Sequence, residues 1–329
     1  MSSSVLNAET VTASNTVRRV RIVRFLRDHK PALIGLIILV FFVGIAFVGS
    51  LFAPYSVTAS SGPIYAAPSG AHWLGTDDIG VDMFSLVLHG GRTSLIVGGA
   101  AAAVAIAIGG VVGVLSGYFG GAVDMILMRI TDYFLVIPDL VLMIVVAAVW
   151  GPSLTHTILV IGLLLWTSTA RVVRAQVKTL RERAYVRRAR SVGASHVSVM
   201  ARHIVPQIGP LLVANTVITI AVAIFDESAL AFLGLSDPNK VSWGTILEHA
   251  NDRTAASNGA WWAVVPAGAC IAAVVIGCYL LGSAIEDALN PRLAVSHLAA
   301  KGWRLRSTAT LSAMGRLGVT RRRNSERDT

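Results

Sequence analysis

Nine of the chain's 28 Lys and Arg residues fall between Arg171 and His203, in the segment RVVRAQVKTLRERAYVRRARSVGASHVSVMARH. Val186, Ala189 and Val192 recur there at every third position, so a short helix would carry a small apolar face amid arginines. Gly193 is placed to stop that helix, because glycine readily takes the left-handed conformation that ends one. A second short helix is expected next, and Pro206 opens the following element, where its missing N–H costs nothing. The chemistry of such an elbow is docking, with a cationic, glycine-hinged surface offered to another protein. The competing account is a solvated positive loop whose only role is to orient the chain in a membrane.

Few other side chains have spacing that could do chemistry. Asp139 follows Pro138 within an apolar stretch, where a carboxylate costs about 2.5–3.5 kcal/mol on insertion scales. It either faces a water-filled path or sits near the inner interface. Asp226 and Glu227 lie about 20 residues beyond Pro206, which at 1.5 Å per residue is about 30 Å. They are therefore expected at the outer interface as solvated helix-end carboxylates rather than as a substrate gate. His156 and His249 have no partner spacing and are expected on the surface. Cys270 and Cys278 share one apolar run without metal or redox spacing, as packing residues do. No Gly-x-x-x-x-Gly-Lys-Ser/Thr loop, no Ser/His/Asp arrangement and no metal-ligand set occurs in the sequence, so the chain is expected to be no enzyme, with no cofactor of its own.

The elements that position these residues belong to a membrane. Of 329 residues 54% are hydrophobic and only 14% charged, against about 25% charged in soluble domains. A spanning helix needs about 20 apolar residues, and six stretches qualify, at about 32–53, 93–117, 134–150, 154–170, 206–225 and 261–282. Long continuous runs mean helices rather than barrel strands. The first exceeds a signal-peptide core and shows no cleavage pattern after it, so it is expected to be a retained anchor. The expected domains are a basic segment 1–31, the anchor 32–53, a loop 54–91, a five-span core 92–287 and a basic tail 288–329, most simply disordered and near lipid.

Charge sets the expected topology. Six Lys and Arg lie in 1–31, Arg129 lies between the second and third spans, nine lie in 171–203 and nine in 287–329. Only Arg92, Lys240 and Arg253 fall on the other side. Positive charge stays cytoplasmic during insertion, so both termini and the elbow are expected in the cytoplasm. The basic surplus then needs no nucleic acid. Trp73, Trp243, Trp261 and Trp262 are expected at the outer interface. Gly109, Gly113 and Gly117 place a small residue at every fourth position, which suits close helix packing, either within the chain or against a second subunit.

The elbow resembles the coupling segment of ABC importer permeases, Glu-Ala-Ala, three residues, Gly, nine residues, Ile-x-Leu-Pro. Here the spacing is met by Arg187-Arg188-Ala189, Gly193 and His203-Ile204-Val205-Pro206. The form found in peptide and nickel importers matches more closely, through Tyr185, Val186, Ala189, Gly193, Ala194, Ser195, Arg202, His203, Ile204 and Pro206. Arg187 replaces the usual acid and Arg188 the usual small residue. Gly75-Thr76-Asp77-Asp78-Ile79-Gly80-Val81-Asp82 resembles the Gly-Thr-Asp-x-x-Gly-Arg-Asp segment of the C-type subunits of those importers, with Val81 for arginine; Gly90-Gly91-Arg92-Thr93-Ser94-Leu95 continues it. Leu230–Leu235 with Ser242-Trp243-Gly244, Trp166 through Ala170-Arg171, and Asp287–Arg292 also resemble that family, over about residues 25–292.

The resemblance implies an all-α integral membrane protein with six transmembrane helices and the type I ABC importer permease fold, multi-pass in the cell membrane. It implies a related B-type permease as heterodimer partner and two cytoplasmic ATP-binding subunits, separate or fused, which carry ATP and Mg. An extracytoplasmic solute-binding protein would deliver peptides, nickel chelates, haem or glutathione. The coupling contact would lie at Ala184, Tyr185, Val186, Arg187, Arg188, Ala189, Val192, Gly193, Ala194, Ser195, His203 and Pro206; Gly75, Thr76, Asp77, Gly80, Asp82 and Arg92 would form the extracytoplasmic motif, and Asp139, Asp226 and Glu227 a possible pathway. Two other readings stand beside it. An ion-gradient transporter would show inverted repeats and a midplane ionisable cluster, and a membrane scaffold would use the basic loops to hold a cytoplasmic protein.

Overall fold

The computed structural model describes residues 29–49 and 52–289, so the expectations for the basic N-terminal segment and for the tail beyond residue 289 lie outside the described residues. Among the described residues ten α-helices follow one another: α1 Lys30–Val48, α2 Met83–Phe119, α3 Gly121–Val136, α4 Asp139–Trp150, α5 Leu154–Arg181, α6 Ala184–Ser191, α7 His196–Val199, α8 Val205–Phe232, α9 Trp243–Asp252 and α10 Val265–Leu289. A π turn, Met200–Ile204, joins α7 to α8, and a 3₁₀ turn, Trp261–Ala263, precedes α10. The compact unit ends at Ile285. Of the second unit, which begins at Glu286, only the residues that finish α10 are described.

Among the described residues, five helices are long and apolar enough to cross a membrane, six if a bent pair counts as one. That pair is α3 and α4, bent by 85°, and it corrects the expectation of one continuous span over 134–150. Pro138 has no N–H and disfavours helix at the residue before it; Ile137 is extended, with φ −83° and ψ 131°. The 12 residues of α4 reach about 18 Å, short of a bilayer's roughly 30 Å. Hydropathy is blind to this break because Ile137 and its neighbours remain apolar across it.

Other boundaries shift outward because polar and charged residues such as Arg92, Arg171 and Asp226 interrupt the apolar run inside helices that continue past them. The second span begins at Met83 rather than near 93, so the loop before it ends at Asp82. Asp82 caps the helix, its carboxylate accepting from the Ser85 N–H at 2.9 Å. The fourth span continues to Arg181 instead of ending near 170. The fifth runs to Phe232 rather than 225, and the expected loop beyond it contains α9, started by a capping box of Ser242 and Thr245.

Three apolar clusters run along α2. One joins Met83 and Val87 to Trp243, Ile224 and Ile271. A second joins Val97 and Ala101 to Met143, Ile161 and Leu230. The third, at the elbow end, joins Val114 and Tyr118 to Val173, Val177, Val186, Val199 and Ile208. The glycine stripe seats α2 on α5: a Cβ on Gly109 would lie 2.5 Å from the Trp166 carbonyl oxygen, and one on Gly113 2.7 Å from that of Ala170. The stripe therefore packs within the chain, leaving backbone in contact with backbone.

Candidate functional site

The elbow is built by the end of one long helix and the start of another. From Arg181 the chain turns through Glu182 and Arg183 into α6, whose eight residues end at Ser191. The Ala194 N–H donates to the Ala189 carbonyl at 3.1 Å and the Gly193 N–H to that of Arg190 at 3.0 Å. With Gly193 at φ +87°, this is a Schellman stop, in which a left-handed residue lets the last carbonyls find donors. Ser195 then caps α7, its hydroxyl accepting from the Ser198 N–H at 3.3 Å. The second short helix is not a separate piece. It passes through the π turn into α8, with Pro206 in the first turn of α8.

The buried face is made by Val186, Val199, Ile204 and Ile208, with Ala189 and Ala194 packed beside them. Val192, expected as the third apolar member, is 88% exposed. It is the residue after the helix, at φ −86° and ψ 4°, so the 100° helical step no longer turns it inward. Tyr185, Arg187, Arg188 and Arg190 are exposed, and no acid of the described residues pairs with any of the three arginines. The elbow is anchored to α2 instead. Tyr118 Oη lies 2.9 Å from His196 Nδ1, and Arg181 donates to the Tyr118 carbonyl at 3.1 Å. The result is a cationic surface held on α2.

At the other end of α2 the Gly75–Asp82 segment folds into a tight bonded loop. The Asp77 N–H donates to the Val81 carbonyl at 3.0 Å, and the Asp77 carboxylate accepts from the Ile79 and Val81 N–H groups at 3.0 and 2.7 Å. The N–H groups of Ser61 and Gly62 donate to Gly80 at 2.8 and 3.1 Å. Gly80 sits at φ +81°, and a Cβ there would run into the Gly62 carbonyl oxygen. Thr76 and the wholly buried Asp82 face each other, and Asp82 also meets His72 Nδ1 at 2.9 Å. Arg92 is not part of this loop. It is exposed on α2, nine residues in, or about 14 Å along the axis. A cavity of about 410 Å³ opens between the loop and the α8–α9 connection, lined in part by Asp77, Asp78, Lys240 and His249.

Burial raises the Asp77 carboxyl above its ordinary value, against the pull of its two backbone donors. A raised carboxyl binds protons more tightly folded than unfolded, so its contribution to stability is present below the unfolded value and lost as pH climbs through the folded one. Amide exchange at Ile79 and Val81 is therefore expected to be better protected near pH 4 than near pH 7 once the intrinsic rate is removed. Asp77→Asn, which keeps an acceptor oxygen, should flatten that dependence; an unchanged slope would assign it to another group.

The carboxylates divide. Asp139 is exposed at the start of α4, directly past the bend. Asp226 and Glu227 are 9% and 0% exposed, which corrects their expected solvation: α8 does not end at them, and α9 folds back over the face that carries Glu227. A Cβ on Gly244 of α9 would touch the Ala231 Cβ at 2.6 Å and the Ser228 Cα at 2.8 Å. Glu227 Oε2 accepts from Ser94 Oγ at 3.0 Å, and Ser94 Oγ accepts from the Trp243 N–H at 3.2 Å. Among the described residues Glu227 Oε1 has no hydrogen-bond partner. No hydrogen bond among the described residues joins Asp139 to either acid, but Asp139 stands close enough to Asp226 for the two carboxyls to act on each other electrostatically. Trp243, expected at an interface, is 2% exposed and donates its indole N–H to the Val87 carbonyl at 3.0 Å; Trp73 and Trp261 are exposed. His249 is exposed, whereas His156 is half-buried against the Gly151 carbonyl.

From the sequence, Ser94 is named only as part of a motif, and Tyr118 and the ion pairs of Asp124 are passed over. Asp124 and Asp132 stand eight residues apart, and Arg171, Arg174 and Lys178 stand at spacings of three and four. Each set lies on one helix face, a signal that the spacing alone carries.

Two family models match the chain. Residues 109–295 match the binding-protein-dependent transport system inner membrane component, and residues 19–68 match the N-terminal transmembrane domain of oligopeptide transport permease C. The dipeptide transport system permease protein DppC of Bacillus subtilis is 33% identical over 298 residues, covering 88% of this chain and 92% of that protein. The oligopeptide transport system permease protein OppC of the same organism is 36% identical over 272 residues, covering 81% and 87%. The glutathione transport system permease protein GsiD of Pectobacterium atrosepticum is 34% identical over 274 residues, covering 82% and 89%. Apolar spans joined to a bonded loop at one end and a glycine-stopped elbow at the other thus accompany a match over more than half the sequence: the chain is a multi-pass membrane protein of the binding-protein-dependent transport system inner membrane component family, the permease subunits of ABC importers.

Proposed function

We propose that this permease subunit imports peptides and takes its driving force from separate ATPase subunits docked at the 184–206 elbow. The observation that carries the reading is the elbow itself. A rigid glycine-stopped turn exposes Arg187, Arg188 and Arg190, while its buried face grips α2, α5 and α8. Force applied to Ala184–Ser195 would therefore tilt α5 and α8 together. Closure of an ATPase dimer, which holds the ATP and Mg, would switch the access of the cavity between permease subunits, and only to the extent that each nucleotide state prefers one geometry. The names of the relatives support dipeptides or oligopeptides as cargo, with glutathione in the same size class.

A related B-type subunit completes the path in this reading, and an extracytoplasmic solute-binding protein delivers cargo to the Gly75–Asp82 loop and its cavity. The termini and elbow are cytoplasmic, supported by the charge asymmetry. Asp139, Asp226 and Glu227 are candidate pathway groups; of them Asp139 is exposed and is the one placed to meet cargo. The ion-gradient and scaffold alternatives give way to the family.

Cysteine cross-linking tests the docking. In a chain with Cys270→Ala and Cys278→Ala, single cysteines at Arg188 and Ser191 should cross-link to an ATPase subunit and resist impermeant thiol reagents added from outside. Labelling from outside, or no adduct with the ATPase, would overturn the reading.

A further inference from the structure

Arg174 and Lys178 of α5 both reach one carboxylate of α3. Asp124 accepts from Arg174 Nε at 2.5 Å and Nη2 at 2.7 Å, and from Lys178 Nζ at 2.7 Å. Ser116 of α2 donates to it as well. The Asp124 side chain is only 13% exposed, with Arg174 at 32% and Lys178 at 40%. Two turns further along α3, Asp132 accepts from Arg171 Nη2 at 2.6 Å. As α3 advances from 124 to 132, its partners on α5 step back from 178 and 174 to 171. The two helices are thus tied in antiparallel register by two rungs, one half-buried and one exposed.

Exposed ion pairs contribute little because water screens them. The Asp124 rung differs: three charged donor contacts and a hydroxyl converge on one largely buried carboxylate, including a two-pronged guanidinium contact that fixes direction as well as distance. It is also placed where it matters. Arg174 and Lys178 lie on the continuous helix that ends at Arg181, three residues before the elbow. Asp124 lies in the first turn of α3, where the helix dipole favours an anion. The other end of α3 meets the 85° bend at Ile137–Pro138, beyond which stands Asp139.

We propose that Asp124, gripped by Arg174 and Lys178, is the joint that carries movement of the elbow-bearing helix α5 into the bent α3–α4 pair. The proposal rests on the docking role of the elbow and names the second helix that this motion drives. When α5 tilts, the α3 turn holding Asp124 is drawn with it, and the hinge at Pro138 converts that pull into a swing of α4. Asp124 is a positioning residue and touches no cargo. Without the rung, the elbow still receives the ATPase and α5 still tilts, but α3 slips instead of following.

The test uses the full complex in proteoliposomes, with ATP hydrolysis stimulated by loaded binding protein and uptake of a labelled peptide measured on one preparation. For Asp124→Asn, hydrolysis is expected to stay within about twofold of wild type while uptake falls at least tenfold, so ATP spent per peptide rises about tenfold. Asp124→Glu, which restores the charge, should recover most of the ratio. A wild-type ratio in Asp124→Asn, or hydrolysis and uptake falling in proportion, overturns the proposal. Should that variant not assemble, Lys178→Gln, which leaves the Arg174 contacts in place, carries the same expectation with a smaller rise, and an unchanged ratio there overturns it. Failure of the elbow reading is separate: it would appear as intact stimulation of hydrolysis when the elbow itself is altered.

Discussion

Complexes carrying Gly193→Pro are expected to insert and assemble in the membrane yet to lose both the stimulation of ATP hydrolysis by loaded binding protein and the uptake of peptide. Proline locks φ near −65°, and Gly193 sits at +87°, so the native turn is closed to it. The substitution also deletes the N–H that donates to the Arg190 carbonyl at 3.0 Å. A penalty of about 3 kcal/mol or more lowers the population of the native elbow at least about a hundredfold. Gly193→Ala keeps that donor and meets only the left-handed cost of roughly 1–2 kcal/mol, so its loss should be partial. Ala189→Glu attacks the same unit from its other side: Ala189 lies against Val186 and Val199 and accepts from Ala194, and a glutamate there drives charge into an apolar seat. The graded order Pro worse than Ala, at equal membrane abundance, is the measurement. Wild-type hydrolysis and uptake in Gly193→Pro would mean that the ATPase does not work through this turn.

What the sequence made legible follows from the range over which each force acts. The elbow was readable because its determinants are local: a left-handed stop needs glycine at one position, and the chain writes Gly193 where the short apolar face ends. The one local error, Val192, arose from extending a three-residue spacing past the residue that ends the helix. The spans were readable because lipid demands long apolar runs. Their ends were not, since Met83–Thr93 and Arg171–Arg181 are helical through packing and capping rather than hydropathy. The 85° break at Pro138 was not read, because the apolar run continues across it and hydropathy weighs composition rather than backbone direction. The burial of Glu227 and Trp243 was illegible for a different reason. It is caused by α9 folding back over α8, a contact between segments that no periodicity within either one encodes.

The same organisation explains why α2 matters at both ends. Tyr118 and Ser116 meet the elbow and the Asp124 joint, while Asp82 and His72 secure the opposite loop. Between them the glycine seam holds α2 against α5 at backbone contact, so neither helix can shear along the other without losing that fit. In the proposed coupling, elbow motion would reach the far loop as movement of a packed pair, and whatever fastens α8 and α9 to that pair would decide whether the far end follows.

Glu227 is that fastening, and its removal should be costly. From the Trp243 N–H of α9 through the Ser94 hydroxyl of α2 to Glu227 Oε2 of α8, one chain of hydrogen bonds joins three helices in a site with no exposure at the carboxylate. Glu227→Ala removes the acceptor and leaves a void. A large-to-small change in a closed core costs about 2–5 kcal/mol, and a buried hydroxyl without an acceptor adds about 1–3. The purified complex should therefore denature several degrees earlier, and exchange at Trp243 and the next turn of α9 should rise at least tenfold. Glu227→Gln keeps the volume and the oxygen facing Ser94 but places amide N–H donors where Oε1 lacks a partner among the described residues; its cost should be about 1–3 kcal/mol, the scale of one unpaired buried donor. Glu227→Leu keeps much of the bulk but not the acceptor and should fall between them. That order, Gln milder than Leu and Leu milder than Ala, separates an acceptor role from one that needs the carboxyl group itself. If Gln proves as damaging as Ala, the acid function and not the hydrogen-bonded chain holds α8, α2 and α9 together.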